Sequence, residues 1–151
     1  MRIQIVKSAD GRHRLRCFRD DGSSTEAPVG PGLPLHDLAH YVAETELGLD
    51  EGFFGLVARG CSIAELGDRE RISSLPPQIW VAETLARAVG ALATGACRVD
   101  QVRALVEAEL AERTPRGLTG ERAARMHERY LELVGRYRAL SAGESLLLDW
   151  G

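Results

Sequence analysis

A short segment rich in glycine and proline, residues 30–34 (GPGLP), divides this chain of 151 residues into two parts with different patterns. Proline cannot donate to a β ladder, but it is tolerated in the first turn of a helix. The segment therefore ends a sheet and starts a helix. We predict β structure over residues 1–29 and helices over residues 34–140.

Two turn signals organise the first part. Residues 2–7 alternate apolar and polar side chains, which places Ile3 and Ile5 on one face of a strand. The dipeptide Asp-Gly, whose residues tolerate a positive φ, occurs twice and is typical of β-hairpin turns. These signals predict an antiparallel β meander with strands over residues 2–7, 12–18 and 25–29.

Beyond residue 34, apolar residues recur at the spacing of an α-helix, and capping and stop signals separate the runs. We predict five helices, beginning near residues 35, 50, 76, 100 and 119, and a polar loop over residues 67–75. The apolar segment at residues 144–150 is predicted to be a strand that returns to the N-terminal sheet. The predicted fold class is α+β. One domain, residues 1–151, would contain a small antiparallel sheet, made of the N-terminal hairpins and the C-terminal strand, packed against about five helices.

The composition argues against several classes of protein. A net charge of −3 disfavours a general nucleic-acid binder. No apolar run reaches the roughly 18 residues of a membrane helix, and residues 1–7 lack the apolar region of a secretory signal. The three cysteines, Cys17, Cys61 and Cys97, form no CxxC motif, which favours reduced thiols. We expect a cytoplasmic protein with neither a membrane nor a nucleic acid as its partner.

The segment HDLAHYVAE, residues 36–44, is the candidate site. On a helix that advances about 100° per residue, His36, His40 and Glu44 fall within roughly 80° of one another. Two imidazoles at i and i+4 can chelate one metal ion, and a carboxylate one turn further on can be a third ligand or orient a ligand. This face lies largely away from the apolar stripe of the helix. The spacing predicts a divalent metal site, with zinc as the first choice and iron or manganese as alternatives.

The residues His36-Asp37-x-x-His40 resemble the HExxH motif of zinc metallohydrolases, in which the acid beside the first histidine is the general base. The resemblance implies that Asp37 is catalytic and deprotonates a metal-bound water. Aspartate is one methylene shorter than the glutamate of that motif, which is a departure from the pattern.

Two residues outside this segment are further candidates. His127 lies on the apolar stripe of the last helix, where it is either a hydrogen-bonded core residue or an inward-facing metal ligand. Glu83 is a remote ligand candidate, although its spacing to Arg87 is typical of a surface ion pair at i, i+4.

A wider resemblance extends over much of the chain. Residues 36–56, the hairpin at residues 8–12 and the closing Leu148-Asp149-Trp150 are similar to a group of small bacterial proteins. The resemblance implies that the HDxxH helix is a feature of that group, and it implies no substrate.

Three functions follow as hypotheses. The first is a metal-dependent enzyme, of hydrolase or lyase type, that acts on a small-molecule substrate through HDxxHxxxE. The second is a non-catalytic helical interaction protein, a homo-oligomer, in which HDxxH forms a structural polar network. The third is an anion binder that uses Arg12, Arg14 and Arg16 on one face of a strand.

Overall fold

A four-stranded antiparallel sheet and six α-helices make up the described part of the chain, which confirms the α+β prediction. The computed structural model describes residues 1–68, 70 and 74–151. Part of the predicted polar loop, namely residues 69 and 71–73, lies outside the described residues. The strands are β1 (Arg2–Val6), β2 (His13–Phe18), β3 (Ser24–Val29) and β4 (Ser145–Asp149). The helices are α1 (Leu33–Leu47), α2 (Phe53–Ala58), α3 (Ile63–Leu66), α4 (Gln78–Ala93), α5 (Val102–Leu110) and α6 (Gly120–Ala139).

The sheet has the strand order β3-β2-β1-β4, so the C-terminal strand pairs with the N-terminal one as predicted. The alternation of side chains puts one apolar face against the helices. Ile3 and Ile5 of β1 are fully buried there, beside Leu15 of β2 and Leu148 of β4. The first turn is longer than a two-residue hairpin, and Gly11 takes the positive φ of 74° that its Asp-Gly signal predicts.

The outer face of β2 carries less free positive charge than the sequence suggested. Arg14 and Arg16 lie on this face, and each pairs with Glu26 of β3 at 2.7 Å. Arg12 precedes the strand. The strand itself therefore carries two of the three arginines, and both are paired with an acidic residue.

Helix α1 is the element that carries the candidate site. It begins two residues before the predicted start, with Pro34 in its first turn, and it ends at Gly48 in the left-handed conformation (φ 66°). Helices α4 and α6 pack along α1, and α2 follows it closely. No helix within the described ranges is both long enough and apolar enough to cross a membrane.

Candidate metal centre

Three potential ligand atoms converge between α1 and α4. Nε2 of His36 lies 3.1 Å from Nε2 of His40. Oε2 of Glu83 lies 3.3 Å from the first of these nitrogens and 3.1 Å from the second. Donor atoms bound tetrahedrally to one zinc ion at about 2.0–2.1 Å are about 3.3 Å apart. The three atoms therefore already have the spacing that a single ion needs.

In the described part of the chain, we searched for three or more His, Cys, Asp or Glu residues whose potential ligand atoms all lie within 4.8 Å of one another. His36, His40 and Glu83 form such a group. Glu44 and His127, which the sequence proposed as ligands, are not in it. His127 lies half-buried on α6.

Glu44 lies behind His40 and orients its ring, and it is not one of the three residues whose ligand atoms converge. Its side chain is fully buried, and its Oε1 lies 3.0 Å from Nδ1 of His40. Because a carboxylate only accepts hydrogen bonds, this contact places a proton on Nδ1 and leaves Nε2 to face Glu83 and His36. A histidine that binds a metal through one ring nitrogen normally donates its other N–H to such a partner.

The same carboxylate receives the first amides of α2. The backbone N–H groups of Phe53 and Phe54 donate to Glu44 at 2.9 Å each. They satisfy the negative charge of Glu44 in a site that water does not reach. Glu44 thus joins His40 on α1 to the start of α2.

A glycine at position 52 makes room for this arrangement. A Cβ atom added to Gly52 would lie 2.5 Å from Cδ of Glu44 and 2.6 Å from its Oε2. Both distances are far shorter than any ordinary van der Waals contact. Glu44 can reach the amides of α2 because residue 52 has no side chain.

When no metal is bound, the surroundings of the centre favour a protonated His40 and an ionised Glu83. Burial lowers the pKa of His40, but hydrogen bonds to Glu44 and Glu83 outweigh burial and raise that pKa to about 9. Hydrogen bonds from His36 and His40 hold the pKa of Glu83 well below its ordinary value. At neutral pH a proton therefore occupies the histidine that a metal ion would bind, and the ion has to displace it.

Asp37, the predicted catalytic residue, is buried beside this group. Only 7% of its surface is exposed, and its Oδ2 has no hydrogen-bond partner within the described ranges. Burial raises its pKa to about 6, although the nearby charges of His40 and His36 act in the opposite direction. Asp37, His36, His40 and Glu83 all line one cavity of about 390 Å³.

The centre is closed on one side and open on the other. The side chain of His40 is 6% exposed, whereas those of His36 and Glu83 are 34% and 38% exposed. The sequence placed the HDxxH face largely away from the core. In the structure α2 and α4 cover much of it, and the partly exposed His36 and Glu83 leave one side of the group accessible to solvent.

Sequence reasoning ranked Glu83 below Glu44 because the contact between α1 and α4 joins residues 43 and 47 positions apart. Helical periodicity carries no information about which helices pack together. The one local indication that Glu83 lies near the core is its place directly after Val81 and Ala82, which are buried on α4.

The chain matches no protein-family model, no curated protein and no solved structure. The geometry of the centre and of its surroundings is therefore the basis for assigning a function.

Proposed function

We propose that this chain is a metal-dependent enzyme, of hydrolase or lyase type, that binds one divalent metal ion through His36, His40 and Glu83 and acts on a small molecule. The observation that carries the proposal is the 3.1–3.3 Å spacing of the three donor atoms. The buried carboxylate of Glu44 behind His40 supports it, because it is the partner that a metal-binding histidine needs.

Zinc is the ion we expect. Two histidines and a glutamate with an open fourth position are a ligand set of catalytic zinc sites. The same set, two histidines and one carboxylate with open positions, also suits iron(II). A bound ion lowers the pKa of a water molecule to near neutrality.

Asp37 is the residue we assign to proton transfer. It lines the cavity beside the two histidines, and its Oδ2 has no partner among the residues that the structure describes. With a pKa of about 6, its carboxyl group is ionised at pH 7 and close enough to neutrality to exchange a proton efficiently. It would take a proton from a metal-bound water or from the substrate, directly or through a second water.

A structural role is the second candidate function, because the side chains of the centre also hydrogen-bond to one another without a metal. Hydrogen bonds run from His36 through Glu83 and His40 to Glu44, and from Glu44 to the amides of α2. This chain of contacts ties α1, α2 and α4 together. In an interaction protein or a homo-oligomer, that tie alone would explain the residues.

Metal content distinguishes the two functions. Untagged protein, purified without chelator, is analysed by elemental mass spectrometry beside His36→Ala/His40→Ala and Glu83→Gln. Glu109→Gln is the matched control, since Glu109 is a carboxylate on the neighbouring helix that pairs with Arg87. We expect about one metal ion per wild-type chain, kept in the control and lost in both site variants.

The contrary result is equally clear. If the wild-type chain holds no ion after incubation with zinc, manganese and iron(II), the enzyme proposal fails. If the site variants mainly unfold or dissociate the protein, the structural role is favoured.

A further inference from the structure

Two cavities meet at the candidate metal centre. The larger, of about 390 Å³, lies between α1, the β2–β3 side of the sheet and α3. The smaller, of about 300 Å³, lies between α2 and the start of α4. Both are lined by His40, Phe53, Leu66 and Glu83, so the centre stands where they join.

The walls of these cavities are mainly hydrocarbon. Small and branched apolar side chains line the larger cavity, and bulkier ones line the smaller. Among the described lining residues there is no lysine or arginine. The apolar groups that define the walls are Leu15, Ala27, Val29, Ile63, Ile79 and Trp80. Such walls favour a ligand body that gains by leaving water.

Asp37 is the polar exception outside the three ligand residues. Its Oδ2 is buried, and no donor in the described part of the chain reaches it. A buried acceptor without a partner is destabilising, and more so when it is charged. A donor on a bound ligand would remove this cost. The unpaired oxygen therefore points to a ligand with an N–H or O–H group.

The charge balance indicates the net charge of that ligand. The carboxylates of Asp37, Glu44 and Glu83 lie at or beside the candidate centre, and the described residues that line the two cavities include no lysine or arginine. A ligand with a carboxylate or phosphate of its own would add a fourth anionic group to this partly buried site. A neutral ligand adds no such group.

We propose that the substrate is a small uncharged molecule with an apolar body, whose polar end pairs an oxygen with an N–H or O–H group. The oxygen binds the metal, the N–H or O–H donates to Asp37, and the apolar body fills the larger cavity. The proposal rests on the proposed function, because it requires a metal on His36, His40 and Glu83.

The test uses zinc-loaded protein and three probes, two of which share a metal-binding group. Benzhydroxamic acid and acetohydroxamic acid carry the same polar end, which is uncharged in solution at pH 7, but only the first has an aromatic body. Benzoate carries the same aromatic body with a negative charge. Titration calorimetry should show benzhydroxamic acid binding at least about tenfold more tightly than either of the other two.

Two substitutions test the location of the apolar body. Ala27→Phe fills the larger cavity from β3, and Ala64→Phe fills it from an exposed position on α3. Each should reduce the preference for benzhydroxamic over acetohydroxamic acid to under about threefold, with zinc binding retained. Ala142→Phe, exposed and outside the lining of either cavity, is the control and should keep the full preference. The Ala64 variant suffices if the Ala27 variant fails to fold.

Asp37→Asn tests the polar end. Because both hydroxamates present the same donor, both should bind about tenfold more weakly to this variant, with their ratio unchanged. Equal binding of the three probes to the wild type would overturn the inference, as would a preference that survives in both filled-cavity variants or tight binding to Asp37→Asn. A chain that binds no zinc refutes the proposed function, whereas a chain that binds zinc without these preferences refutes only the substrate class.

Discussion

Replacing Gly52 with alanine should destabilise the protein through one side chain, Glu44. The backbone of Gly52 is in an extended conformation (φ −75°, ψ −169°) that alanine also adopts, so the substitution introduces no backbone strain. The added methyl group would lie 2.5 Å from Cδ of Glu44. An ordinary carbon–carbon contact is about 3.5 Å or more, so the carboxylate has to move by roughly 1 Å.

The contacts that Glu44 makes set the size of the effect. It accepts from His40, Phe53 and Phe54 at 2.9–3.0 Å. A 1 Å displacement breaks two or more of these bonds, and a hydrogen bond to a charged group contributes about 1.5–3 kcal/mol. Alanine returns up to about 1 kcal/mol by reducing the freedom of the unfolded chain. We expect a net loss of about 2–4 kcal/mol in the free energy of unfolding.

Urea unfolding of metal-free protein, followed by circular dichroism in the presence of chelator, measures this loss. Gly135→Ala is the matched control, because Gly135 lies inside α6 with no atom near its added Cβ. The control should be about 0.5–1 kcal/mol more stable than the wild type, since alanine is the better helix former. If Gly52→Ala unfolds at the same urea concentration as the wild type while the control behaves as expected, Glu44 does not have the role described.

Three further predictions concern titration. In metal-free protein, the raised pKa of Asp37, about 6, means that its contribution to stability is complete below about pH 4 and is lost as the pH rises through 6. Asp37→Asn should therefore gain up to about 3 kcal/mol relative to the wild type between pH 4 and 7 in urea unfolding, and a constant difference would contradict this. Zinc binding at pH 7 should release about one proton from His40, which calorimetry in PIPES and MOPS buffers would detect; zero release would show that His40 is neutral without metal. Burial, together with the charge of Asp37, raises the pKa of the Cys17 thiol to about 12, so iodoacetamide at pH 8.5 should modify the half-buried Cys61 but not Cys17, as peptide mass mapping would show.

Local patterns were sufficient to predict most of the fold. The Asp-Gly signal, the break at residues 30–34 and the helix start near residue 119 each depend on neighbours within a few residues, and each appears in the structure. The prediction for the second helix was less accurate. It was expected to begin near residue 50, but it begins at Phe53 after Gly52, because the side chain of Glu44 on α1 receives its first amides.

The candidate site was predictable only along α1. The i, i+4 spacing of His36 and His40 follows from helical geometry, and the structure brings their Nε2 atoms to 3.1 Å. The choice between Glu44 and Glu83 depends on which helix packs on which face of α1. That packing is decided by the shape of the core as a whole, and periodicity within one helix does not encode it.

Glu44 and Glu83 have the same side chain, but their different positions give them different roles. Glu44 is fully buried and holds three backbone and ring N–H groups at 2.9–3.0 Å, so its geometry is fixed by the fold. Glu83 is partly exposed, and among the described residues it meets the two imidazoles and Arg87, so it can exchange a proton on His40 for a metal ion without disturbing the core. Because packing and Glu44 position His40 before any ion arrives, the centre is preorganised. Loss of the metal should therefore abolish the proposed activity while leaving the fold in place, unlike a small zinc domain that unfolds without its ion.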